Sequence, residues 1–112
     1  MVNYNKLSDF EINKRVAKTL NKYTPLNYPH EANKRSVGSL CSNDNYRWYD
    51  YCNNPADAWS IIVENKIDIN WGDDVHTELK GAVIASRGKI SATHENALRA
   101  AMIVFLMMQE NK

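Results

Sequence analysis

Thr93-His94-Glu95-Asn96-Ala97-Leu98-Arg99-Ala100-Ala101-Met102-Ile103-Val104-Phe105-Leu106-Met107-Met108-Gln109 is the stretch whose reading decides the fold. From Ala97 to Met108 only Arg99 is charged, and the rest are Ala, Leu, Met, Ile, Val and Phe. A half-exposed helix carries one apolar stripe, whereas this one is apolar nearly all round and reads as a central helix. Thr93 is positioned to cap it, and Glu95 places negative charge in its first turn. Leu98, Ala101, Met102, Phe105 and Met108 make one stripe at helical spacing. Ala97, Ala100, Val104 and Met107 make a second beside it, which needs its own cover; a second copy of the chain would supply it, so a homo-oligomer is expected. A bilayer span needs about 20 apolar residues, and the run is shorter, so no membrane partner is expected.

Working outward, Leu7-Ser8-Asp9-Phe10-Glu11-Ile12 starts another helix. Ser8 and Glu11 have capping-box spacing, with Leu7 and Ile12 as the hydrophobic staple. Ile12, Val16 and Leu20 repeat along one face, and the lysines and arginine lie mostly elsewhere, solvated. Asn54 caps a further helix, with Pro55 at its first position and Asp57 in its first turn. Trp59, Ile62 and Val63 form the expected buried stripe, widened by Ala58 and Ile61. Truncating Trp59 should then cost what a core aromatic costs. Asn65 is expected to take the left-handed conformation that ends the helix.

The segments between are strand and loop. Asn21–Asn45 has prolines and no sustained period, so it reads as loop, apart from a strand at about Ser36–Cys41. That strand pairs with Tyr46–Cys52 across a turn at Ser42–Asn45. In the second strand, Tyr46, Trp48 and Asp50 share one face and Arg47, Tyr49 and Tyr51 the other. Ile67-Asp68-Ile69-Asn70-Trp71 alternates as a half-buried strand. Leu79–Ser86 offers another, turned by Arg87-Gly88 into a short strand at Lys89–Ala92. The order helix, hairpin, helix, strands, helix gives an α+β fold, a small antiparallel sheet packed with three helices, in one domain over residues 1–112.

Composition narrows the chemistry. Fourteen basic against thirteen acidic residues leave a net charge of +1, too balanced for broad binding to a nucleic-acid backbone. No signal peptide is seen before Cys41 and Cys52, so a cytoplasmic setting with both thiols reduced is expected. His30, His76 and His94 are scattered without zinc spacing, and Asp73, Asp74, His76 and Glu78 read as a solvated turn, so no metal or cofactor is expected. Cys52 precedes a capped helix, where the dipole could lower its pKa, but a small buried core residue is the favoured role. With no catalytic constellation, the chain reads as a non-enzyme.

The aromatic strand is the best functional clue. Tyr46, Arg47, Trp48, Tyr49 and Tyr51 crowd rings and a guanidinium together, beside helix N-terminal amides near Asn53 and Asn54 that suit an anion. The plainer reading is a strand whose aromatics cover its sheet. Asp57 also weighs against the anion, since it already occupies that positive helix end. Arg99, a charge in an apolar helix, needs an exit to solvent, a buried carboxylate or a ligand. The candidate binding set is therefore Arg47, Trp48, Tyr49, Tyr51, Asn53, Asn54 and Arg99.

Three segments together carry a resemblance: Leu7-Ser8-Asp9-Phe10-Glu11-Ile12-Asn13-Lys14, Asp50-Tyr51-Cys52-Asn53-Asn54-Pro55-Ala56-Asp57-Ala58-Trp59, and Asn96-Ala97-Leu98-Arg99-Ala100-Ala101-Met102. Their order and spacing resemble small phage and prophage proteins of the NinX-like type and the related phage "ABA sandwich" proteins. The likeness covers most of the chain outside Asn21–Asn45. It implies a phage accessory protein of unassigned biochemistry and supplies no catalytic residues to carry over. Two functions fit. One is capture of a small nucleotide-like anion, as a counter-defence protein sequestering a host signal would do. The other is a protein-interaction module that inhibits or adapts a host protein.

Overall fold

A computed structural model describes residues 3–20, 25–40, 46–71 and 83–110. The first helix, α1 (Asp9–Leu20), begins where the sequence places it, with the Glu11 amide donating to Ser8 Oγ at 3.1 Å. Its buried face is Phe10, Ile12, Asn13, Val16 and Ala17, while Leu20 is 44% exposed and lies beyond the core. The stripe therefore includes a polar residue, Asn13, that the apolar spacing alone does not select.

The Asn21–Asn45 region contains a strand that was expected to be loop. β1 (Pro25–Pro29) pairs antiparallel with β2 (Val37–Leu40), which pairs with β3 (Tyr46–Tyr49), in the order β1-β2-β3. Prolines at both ends of β1 argue against a central strand but suit an edge, where a missing N–H breaks no ladder. The turn into β2 is stitched by Asn33, whose Oδ1 accepts from the Arg35 and Ser36 amides at 2.9 Å each. Cys41 lies outside the described residues, as does the expected turn at Ser42–Asn45.

Asn54 caps α2 (Pro55–Glu64), accepting from the Ala56 amide at 3.0 Å. The residue in the left-handed region is Lys66 (φ +53°), while Asn65 stays at φ −97°. The Lys66 amide donates to the Val63 carbonyl and the Ile67 amide to the Ile62 carbonyl, the paired bonds of a Schellman ending. The buried residues of α2 are Ala58, Ile61 and Ile62. Trp59 and Val63, expected in the core, are 63% and 52% exposed. The core-facing arc is narrower than the apolar arc, which leaves one apolar side in solvent.

β4 (Asp68–Trp71), β5 (Val83–Arg87) and β6 (Ile90–His94) form a second antiparallel sheet in that order. Gly88, at φ +63°, takes the first central position of the β5–β6 hairpin turn, where glycine is unstrained. The expected strand over Leu79–Ala82 lies outside the described residues, as do Asp73, Asp74, His76 and Glu78. β6 runs on through Thr93, so the last helix, α3 (Ala97–Glu110), starts later than Thr93 would place it. Its cap is Asn96, whose Oδ1 accepts from the Leu98 and Arg99 amides at 3.0 and 3.2 Å.

α3 packs on β5 and β6 and on α1 and α2, and α1 packs in turn on β1 and β2. The layers thus run from the first sheet through α1 and α3 to the second sheet. Every residue of α3 from Arg99 to Leu106 is buried. Burying Met102, Ile103, Val104, Phe105 and Leu106 contributes on the order of 10 kcal/mol of transfer free energy. Ala100 and Val104 are 0% exposed within this single chain. The middle of the second stripe thus has its cover from the chain's own sheet and helices, while Ala97 and Met107 at its ends are half-buried. Among the described residues no helix is long and apolar enough to cross a membrane.

Candidate functional site

In β2–β3 register, Val37 faces Tyr49, Gly38 faces Trp48 and Ser39 faces Arg47. Val37 and Ser39 are buried, so Arg47 and Tyr49 lie on the inward face and Trp48 on the outer one. The expected alternation holds over residues 47–49 and divides the candidate set. The strand ends at Tyr49, however, short of the expected Cys52, and Asp50, expected beside Trp48, is buried against Asn13. Tyr51, itself buried, stacks on Tyr49 with centroids 5.5 Å apart and rings 6° from parallel. The exposed Arg47 side chain places its guanidinium 5.8 Å over the Tyr49 ring, at the solvent end of this stack. Trp48 meets His30 instead, at 4.8 Å and 88°. Arg47 and Trp48 therefore face opposite sides of the sheet.

Asn53 and Arg99 are brought together through Asp9. Arg99 Nη1 donates to Asp9 Oδ1 at 2.6 Å, and Nη2 donates to the carbonyls of Leu7 (2.6 Å) and Tyr4 (3.2 Å). Arg99 is thus a buried ion pair and not a charge that reaches solvent, with Nε left buried without an acceptor among the described residues. Asn53 Nδ2 donates to Asp9 Oδ2 and to Asp50 Oδ1, both at 3.0 Å, and its Oδ1 accepts from Asn96 Nδ2. Burial would raise the Asp9 carboxyl, but the Asn53 and Arg99 hydrogen bonds and the Arg99 and Arg35 charges outweigh it and hold it below the usual range.

Beneath this corner lies a network that the sequence reading missed. Asn13, 0% exposed, donates from Nδ2 to the Arg35 carbonyl and to Asp50 Oδ1, both at 2.9 Å. Its Oδ1 accepts from the Cys52 amide at 3.0 Å, so both donors and the acceptor are used. Asp50 also accepts from Arg35 Nε at 3.1 Å, and its amide donates to Asp57 Oδ2 at 2.9 Å. The available signal was spacing: Asn13 sits between Phe10 and Ala17 at helical intervals, on the face that must be buried.

Chemically this corner is closed. Both Asp9 oxygens are taken, Arg99 is buried with its unpartnered Nε screened from solvent, and Asn54 and Asp57 occupy the positive end of α2. Burial, with the Asp9 and Asp50 charges, pushes the Cys52 thiol up against the opposing pull of Arg99, so it stays protonated and unreactive. No group of three metal-ligating side chains gathers among the described residues.

What stays open is elsewhere. On the outer face of the first sheet, Tyr28, Pro29, His30, Glu31 and Trp48 line a groove of about 300 Å³. On α2, Trp59 and Val63 stand one turn apart in solvent. A larger hollow of about 560 Å³ lies between Asn3–Asn5, β6 and α3, with Ala92, Ile103 and Met107 among its lining. No match is found among curated proteins. The family model described as Bacteriophage P22, NinX matches residues 3–109, nearly the whole chain, and the chain belongs to that phage family.

Proposed function

We propose that the chain is a non-enzymatic phage accessory protein that acts by binding a host protein through the exposed side of α2. The observation that carries this reading is Trp59, 63% exposed, with Val63, 52% exposed, on the next turn. Tryptophan is costly to leave in water and is enriched at the energetic centres of protein interfaces. The near-neutral net charge fits a contact driven by apolar burial, not by charge steering. Sequestration of a nucleotide-like anion has less support, because Arg47 and Trp48 face opposite ways and Arg99 is already paired.

A photocrosslinking amino acid at position 59, in host cells producing the protein, tests the reading. A discrete adduct with a host protein, absent when the probe sits at Lys18 on α1, supports it. No adduct at position 59, an adduct only with a second copy, or the same pattern from both positions overturns it.

A further inference from the structure

The groove on the outer face of the first sheet has a chemistry of its own. Gly38 makes it possible: a Cβ there would lie 2.9 Å from Trp48 Cζ3 and 2.9 Å from Leu26 Cδ1. The absent side chain lets the indole settle against the β2 backbone. Trp48 is nevertheless 37% exposed, so part of the ring remains in solvent. The His30 ring stands almost perpendicular to it, at 88°, as a wall. His30 Nδ1 accepts the Ala32 amide at 3.0 Å, which orients the imidazole and leaves Nε2 to carry the proton of the neutral ring. Tyr28, 59% exposed, and Pro29 complete the lining.

Among the described residues, Glu31 is the only acidic one lining this groove, and neither lysine nor arginine lines it. Among the described residues Glu31 has no ion-pair partner. An exposed indole, a perpendicular ring and one unpaired carboxylate select against anions and for a flat cation. The face of an indole attracts positive charge through its quadrupole, and a guanidinium, being planar, stacks on it while its N–H fork reaches a carboxylate.

We propose that the Tyr28–His30–Glu31–Trp48 groove receives an arginine side chain of a protein partner, its guanidinium lying on Trp48 and paired with Glu31. The groove is distinct from the α2 face, and its occupancy does not depend on what α2 binds.

The test uses the full chain and four probes: N-acetyl-arginine methylamide, its neutral planar counterpart N-acetyl-citrulline methylamide, N-acetyl-lysine methylamide and choline. Binding is read from the NMR shift of the Trp48 indole N–H, assigned by its loss in Trp48→Phe. The arginine probe should bind in the millimolar range, with citrulline about tenfold weaker or worse and lysine and choline weaker than arginine. Glu31→Gln, a change at an exposed side chain, should weaken the arginine probe about fivefold or more and leave the melting temperature in place. Equal binding of citrulline, no Trp48 shift at tens of millimolar arginine probe, an unaffected Glu31→Gln, or tighter binding of lysine or choline would each overturn the proposal. An α2 crosslink lost or found leaves these outcomes untouched.

Discussion

Arg99 carries a full charge into the middle of the fold, and desolvating it costs several kcal/mol that only close partners offset. Asp9, which opens α1, and the Leu7 and Tyr4 carbonyls, in the segment that leads into it, are those partners. The ion pair therefore fastens the chain's beginning to its last helix. Its pH dependence follows from the depressed Asp9 carboxyl. In the unfolded chain Asp9 takes up a proton near the ordinary aspartate value, about 3.9, and in the folded chain only at lower pH. Its contribution is thus fully present above about pH 4 and is lost as pH falls through the folded value. Urea unfolding as a function of pH should show this acid limb, and Asp9→Asn should be less stable at neutral pH with a shallower limb. An unchanged limb in Asp9→Asn would mean that other carboxylates govern it. Trp59 is the opposite case, an apolar residue outside. Trp59→Ala should change unfolding free energy by no more than about 0.5 kcal/mol, as surface substitutions do. A loss of 3 kcal/mol or more in chemical denaturation would return Trp59 to the core.

At the scale of elements, capping chemistry was the most legible part of the sequence. Ser8 and Asn54 cap the helices that they were expected to cap, because a side-chain oxygen at that position has few competing roles. The start of α3 was misplaced because Thr93 and Asn96 are both good caps, and strand pairing of Thr93 with Ile84 decided between them. β1 was missed because its prolines mark loops by composition and only an edge position admits them. In the candidate site, the alternation of Arg47, Trp48 and Tyr49 was readable, but which face met the core was not. That depended on the register with Val37 and Gly38, a tertiary fact. Neither Asn13 nor the Asp9–Arg99 pair had a local signal, since each partner lies tens of residues away in sequence. The end of α2 gives this scale its prediction. Lys66 holds φ +53° at the position where glycine is unstrained, and it is exposed. Lys66→Gly should remove about 1 kcal/mol or more of left-handed strain and give back part of that in chain entropy. A net gain of about 0.5–1 kcal/mol in urea unfolding is expected, and a net loss would show that the Lys66 side chain contributes contacts of its own.

Taken as a whole, the molecule hangs two three-stranded sheets on one helix pair. Neither sheet can bury an inner face alone; α3 packs on the second sheet, and α1 packs on both α3 and the first. Ile12 and Val16 of α1 and Met102 and Val104 of α3 are all 0% exposed, so the contact between the two helices lies within the same core as both sheets. The polar ties run the same way: Asn13 of α1 holds Asp50 and the Cys52 amide beyond β3, and Asp9 holds Arg99 of α3. A structure joined like this should open as one cooperative unit, which makes the single domain a prediction about energetics. Native-state hydrogen exchange reads it directly. The most protected amides of β2, β5 and α3 should share one opening free energy. Met102→Ala, a truncation at a fully buried site, should lower all three together by about 2–5 kcal/mol. If the β5 and α3 amides loosened while those of β2 kept their protection, the first sheet with α1 would be a unit stable without α3. The layered core would then be two halves in contact.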